Sequence, residues 1–192
     1  MFTGILCLIL LLSMFSIGTV NAEAANDLNA AVQCSFVIPP EFVPGEEKGL
    51  FVNVNSPMES STIKYSVYDN GQDRVLTNRE RQELQESGAK LIEDESMNLT
   101  KEIYESQMSA AYAKEYGQDV GFTVDTFTNI KVDGYPGYKI ETSYQAAEEE
   151  MVHQTVYIVL SKYRVFTIAY QRAEDDDCTE AFEASFETIH VR

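Results

Sequence analysis

The sequence has no tryptophan, only two histidines and three cysteines, and just 14 lysines and arginines against 31 aspartates and glutamates. Each shortage removes a class of chemistry. Without tryptophan the commonest sugar-stacking platform is missing. His153 and His190 stand far apart, so the chain has no pair of histidines at i and i+4 of the kind that binds zinc. A Gly-x-Ser-x-Gly elbow and a Gly-rich phosphate loop are both absent, which argues against nucleophilic hydrolysis and nucleotide chemistry. The formal net charge of −17 repels phosphate backbones and anionic membrane surfaces, whose binding depends on Lys and Arg. No nucleic-acid partner is expected, and no cofactor.

What the chain does have begins with an uncharged leader, "MFTGILCLILLLSMFSIGTVNA". Its apolar run from Ile5 to Leu12 is extended by Met14, Phe15 and Ile17, and it ends in the small-residue site Val20-Asn21-Ala22. This pattern predicts a secretory signal at 1–22, cleaved after Ala22, and hence a secreted or cell-envelope protein. No Lys or Arg stands near Met1, and Phe2 to Val20 is nearly bilayer length, so a retained N-terminal membrane anchor is the alternative. Cys7 lies inside the run rather than after it and is not a lipidation site. A polar lead-in at 23–31 follows, then about 160 residues at 32–192, enough for a single α+β domain with one core. Cys34 and Cys178 are the cysteines left after cleavage. An even pair in an exported chain favours a disulfide tying the domain's two ends together; two separate buried thiols are the alternative.

Hydrophobic periodicity places the elements. Cys34 to Ile38 is a short apolar strand stopped by Pro39-Pro40. "GLFVNVN" (49–55) and "STIKYSVYD" (61–69) alternate apolar and polar residues, as a pair of antiparallel strands does. The polar stretch 76–92 is a weak helix pattern interrupted by Gly88. "NLTKEIYESQMSAAYAKEYG" is a firmer one, with Leu99, Ile103, Met108, Ala111, Tyr112 and Tyr116 expected along one face, Asn98 or Thr100 as cap and Gly117 as stop. From Gly121 the period returns to two: "FTVDTFTNIKV", "GYKIETSYQ", "MVHQTVYIVLS" and "RVFTIAYQ" predict a four-strand meander. A helix over 177–188 closes the chain. The expected fold class is α+β: a curved antiparallel sheet of about six or seven strands flanked by helices.

"VDGYPGYKI", the strand pair "TVYIVLSKYRVFTIAY" and the terminal "EAFEASFETI" resemble the small exported PsbP-like domains, over about Cys34 to Arg192. The resemblance implies a curved antiparallel sheet flanked by helices, and a protein that docks onto others rather than catalysing. It carries over no functional residue. The chain departs from the lipoprotein members in having no lipidation cysteine.

Two features point toward ligands. A meander brings the turn at 146–150 and the exit loop at 172–177 to one end of the sheet, together with Asp119. Glu148, Glu149, Glu150, Asp175, Asp176 and Asp177 then form an acidic rim, and clustered carboxylates are hard-cation ligands. The competing use is a helix start, with Asp177 as N-cap, Glu180 three residues on, and Asp175 and Asp176 facing the helix dipole. Tyr135, Tyr138, Tyr144, Tyr157, Tyr163 and Tyr170 all fall in the meander, where tyrosine serves either an interface or ordinary strand packing. Asn98-Leu99-Thr100 matches a glycosylation sequon. The leading expectation is a non-catalytic exported domain binding a protein or envelope component. A calcium-binding domain is the second class and a small two-carboxylate hydrolase the third.

Overall fold

The computed structural model describes residues 30–69, 98–146 and 149–192. The leader, most of the lead-in, the polar stretch 76–92 and Glu148 lie outside the described residues. Within them the strands are β1 (Cys34–Ser35), β2 (Phe42–Pro44), β3 (Leu50–Asn53), β4 (Thr62–Asp69), β5 (Thr123–Val132), β6 (Tyr135–Tyr144), β7 (Val152–Leu160), β8 (Arg164–Ala173) and β9 (His190–Val191). The helices are α1 (Lys101–Tyr116) and α2 (Thr179–Phe186).

Seven strands form one curved, open antiparallel sheet in the order β2-β3-β4-β8-β7-β6-β5. The meander runs inward from the β5 edge until β8 pairs with β4, Ile63 opposite Tyr170. β5 and β6 are joined by Asp133-Gly134, both at positive φ (50° and 87°), the two-residue turn whose twist matches the strands it links. β1 and β9 form a separate two-stranded ladder, Cys34 opposite Val191. The α+β class and the four-strand meander follow the period-two pattern of the sequence. β2 and β9 were not anticipated, because two or three residues show no period.

Alternation along each strand gives the sheet two apolar faces, each with its own cluster. On one, α1 packs over Ile140, Tyr144, Val156, Ile158 and Ala169. A fully buried aliphatic such as Ile140 contributes about 1.5–3 kcal/mol. Thr100 caps α1 by accepting the Ile103 N–H, and Gly117 ends it at φ 69°. The buried stripe is Tyr104, Met108, Ala111 and Tyr112, an i, i+4, i+7, i+8 series. Ile103, expected on that stripe, is 45% exposed, because Tyr104 takes the sheet-facing position instead.

On the opposite face, α2 and the segment around β1 and β9 cover Ile63, Tyr157, Val159, Phe166, Ile168 and Tyr170. Phe186 stacks on Tyr157 at 4.0 Å and Phe182 lies 5.1 Å from Tyr170. β9 is held further by Asp133, whose Oδ2 accepts the Val191 N–H at 2.8 Å and pairs with His190. The Val191 bond first, and His190 second, hold the Asp133 carboxyl below its ordinary value of 3.8. A depressed carboxylate contributes its stability above the ordinary value and loses it as pH falls through the lowered one. Amide exchange at Val191 should therefore accelerate as pH drops below that range, beyond the intrinsic trend, and Asp133→Asn should flatten the response. Unchanged protection through the range would count against this anchoring.

Candidate binding site

The expected acidic rim assembles in part. β6, β7 and β8 place Tyr144, Val152 and Ala173 in one row, so the turn after β6 and the exit of β8 emerge together. Asp119 joins them, since Val120 accepts the Gln145 N–H. Glu150 lies against Asp175, and that shared hydrogen bond and like charge raise the Glu150 carboxyl. Asp176 turns away from the rim. It is buried, and its Oδ2 accepts from Ala173 N at 3.1 Å, Ser60 N at 3.2 Å and Ser60 Oγ at 3.4 Å. Asp177 is exposed and does not cap α2. The cap residue is Cys178, with no side-chain cap bond, because the Asp176 bonds fix the preceding turn and shift the helix start by one residue. Among the described residues no three acidic groups converge on a point where an ion would sit.

A raised carboxyl is the reverse of the Asp133 case. Its favourable contribution is present at low pH and lost as pH rises through the raised value, leaving repulsion at neutrality. Calcium and magnesium at matched ionic strength should therefore raise the melting temperature equally, by screening. Glu150→Gln should raise it without either ion. A calcium-specific rise would overturn both statements and restore a specific cation site.

The disulfide expected between Cys34 and Cys178 is not formed in the structure. Both are free, buried thiols in the same apolar cluster, and burial pushes each up to about 11. The Cys34 carbonyl accepts the Tyr65 hydroxyl, and the Cys178 side chain is hydrogen-bonded to Ser61. Native protein at pH 8 should alkylate slowly, and both thiols should react on unfolding without reductant. Failure of either to react after unfolding would reinstate the bridge.

The tyrosines serve packing first. Tyr138, Tyr144, Tyr157 and Tyr170 are buried, while Tyr135 and Tyr163 are half-buried. Beneath α1 the Tyr112 hydroxyl donates to Gln154, whose amide donates to Gln171 at 2.7 Å, a satisfied internal chain.

A concave feature among the described residues lies on the α2 side, where the helix covers only part of the sheet. A cleft of about 130 Å³ is lined by residues of β6, β7, β8 and α2. Register places its floor. Thr155 stands opposite Glu141 on β6 and Tyr170 on β8, with His153 and Arg172 one row toward the acidic end and Tyr157 one row away. Thr155 stands between the larger His153 and Tyr157 on the same face of β7, and its size opens the hollow. That break in side-chain size was the signal available in the sequence. Phe182, Glu183 and Thr179 of α2 form the wall.

Most charges here are committed. Lys139 bonds Glu141 at 2.7 Å and, with Thr126, holds that carboxyl low. His153 pairs with Glu174, also lowering it. Burial, together with Tyr170 and the nearby Glu141 and Glu183, drives the Tyr157 hydroxyl well above its ordinary pKa. Beyond the cleft, β5 and β6 expose a strip of polar surface: Thr126 and Thr128 are open, and Lys139, Glu141 and Ser143 half-buried. β5 is also a sheet edge, blunted at one end by a bulge between Val124 and Thr126 and by Glu105, which accepts the Val124 N–H.

No family model matches the sequence, and no curated protein matches it. Among solved structures the fold is similar to CyanoP, the cyanobacterial PsbP of Synechocystis sp. PCC 6803, with a TM-score of 0.53 at 14% identity over 92% of this chain and 99% of that one. Looser likenesses reach LpqN of Mycobacterium tuberculosis, involved in cell envelope biogenesis, with a TM-score of 0.43 at 12% identity over 82% of both chains. A Bacteroides thetaiotaomicron VPI-5482 protein gives 0.40 at 15% identity over 83% of this chain and 45% of that one. The likeness to CyanoP is one of fold, and the curved antiparallel sheet flanked by helices is what the PsbP-like resemblance implied.

Proposed function

We propose that the chain is an exported, non-catalytic binding domain that docks a protein or envelope component on the strip of sheet left open beside α2. The observation that carries the reading is this strip, in which Thr126, Thr128, Lys139, Glu141 and Ser143 present a polar surface on a rigid, doubly packed sheet. The Lys139 contact supports docking over acid catalysis, since it holds Glu141 low whereas a general acid needs a raised carboxyl. The uncharged leader supports export, and a PsbP-like fold is compatible with it. With a net charge of −17, complementarity favours a partner with a basic surface and a salt-sensitive association rate.

A photo-crosslinking residue at Thr128, on the strip, tests this against one at Lys114, exposed on α1. Irradiation in the source cells should give one discrete adduct from position 128 and none from 114. Equal adducts from both positions, or none from 128, would overturn the reading.

A further inference from the structure

The groups of the cleft that remain uncommitted form a small complementary set. Arg172 donates through Nη1 alone, to the carbonyls of Ala173 at 3.0 Å and Glu174 at 3.2 Å. Its Nε and Nη2 make no hydrogen bond among the described residues. That is the two-donor edge a guanidinium offers to a carboxylate. Glu183, exposed on α2, has no counter-ion among the described residues. Tyr157 lines the cleft, and its hydroxyl makes no hydrogen bond among the described residues and is open to the cleft rather than enclosed. Its surroundings are already fixed, with Phe186 stacked on the ring. Lys139 and His153, the other basic groups, are taken by Glu141 and Glu174.

What is left is one positive edge, one carboxylate and one acceptor hydroxyl around the floor residue Thr155. A ligand that satisfies all of them carries both signs of charge close together. The volume of about 130 Å³ limits it to a few heavy atoms, because pockets for drug-sized ligands begin near 300 Å³. We propose that the cleft binds a small zwitterion of the α-amino-acid class, its carboxylate at Arg172 and its ammonium between Glu183 and the Tyr157 hydroxyl. This rests on the binding reading of the α2-side face and gives that face a ligand of defined chemistry. The side-chain end of the ligand faces Phe182 and solvent, so charge separation rather than side-chain identity sets recognition.

Three probes isolate the two charges: L-alanine, L-alaninamide without the carboxylate, and N-acetyl-L-alanine without the ammonium. In two-dimensional NMR of the mature protein, L-alanine should shift Thr155, Tyr157 and Glu183 saturably at millimolar concentration. Each blocked analogue should bind at least about tenfold more weakly. Glu183→Gln should erase the advantage of L-alanine over N-acetyl-L-alanine, and Arg172→Gln its advantage over L-alaninamide. Should Arg172→Gln disturb the turn after β8, Glu183→Gln still decides, since it lies on exposed helix surface. No saturable shift, or equal binding of the three probes, overturns the proposal. A Thr128 crosslink that persists alongside such a result leaves docking standing while the zwitterion site falls.

Discussion

Gly137→Ala should abolish cooperative folding, or cost more than about 3 kcal/mol in a denaturant titration, although it removes no side chain at all. Gly137 sits in β6 opposite Val159 of β7, one strand in from the β5 edge of the seven-stranded sheet. A Cβ built there falls against the Ile158 carbonyl oxygen, with Ile158 C and Val159 Cα at 3.1 Å behind it. All three atoms are backbone of a paired strand, so no rotamer change can relieve the overlap; either β6 moves away from β7 or the ladder breaks. Gly134 in the adjoining turn gives the contrast. Its φ of 87° makes alanine strained there, but a Cβ would meet nothing within 4 Å, so Gly134→Ala should cost on the order of 1–3 kcal/mol and leave the fold intact. If the Gly137 variant unfolds with an unchanged midpoint, the close approach of β6 to β7 is wrong.

Gly137 also marks where sequence reading succeeds and where it stops. The run "GYKIETSYQ" announces a strand by its alternation, and its neighbours do the same, so the meander and its order are legible from one chemical regularity. Burial on both faces was less legible. β7 reads Val156, Tyr157, Ile158, Val159, Leu160 without interruption, the signature of a strand covered twice, and α2 is the cover on the second side. Ile103 and Asp177 show the limit at helix scale. A stripe or a cap can be displaced by one residue when a neighbour, Tyr104 or Asp176, makes the better tertiary contact. The cleft lay further out of reach. Arg172, Thr155, Tyr157 and Glu183 come from three elements, none has a motif around it, and only strand register and the packing of α2 bring them together. What distinguishes them is which partners they lack, and that is a property of three-dimensional accounting.

Asp176 gives the second large effect, and it separates the two uses the sequence allowed for the aspartate run. As a cation ligand or dipole partner it would be exposed, and replacing it would change stability by about 1 kcal/mol or less. In the structure it is 5% exposed and accepts three hydrogen bonds, from Ala173 N, Ser60 N and Ser60 Oγ. These tie the turn before β4 to the exit of β8, the two strands whose pairing closes the meander onto β4. Asp176→Ala strands two backbone N–H groups at a covered site, and losing a charged acceptor there costs about 2–4 kcal/mol in all. Asp176→Asn keeps one acceptor oxygen of the same shape and should recover part of that loss. Asp175→Ala and Asp177→Ala, at exposed neighbours, should stay within about 0.5 kcal/mol of the parent or, for Asp175, rise slightly as the contact with Glu150 is relieved. Denaturant midpoints of the four variants give the comparison. A flat series, with Asp176→Ala no worse than its neighbours, would mean that the buried carboxylate does not hold β4 and β8 in register.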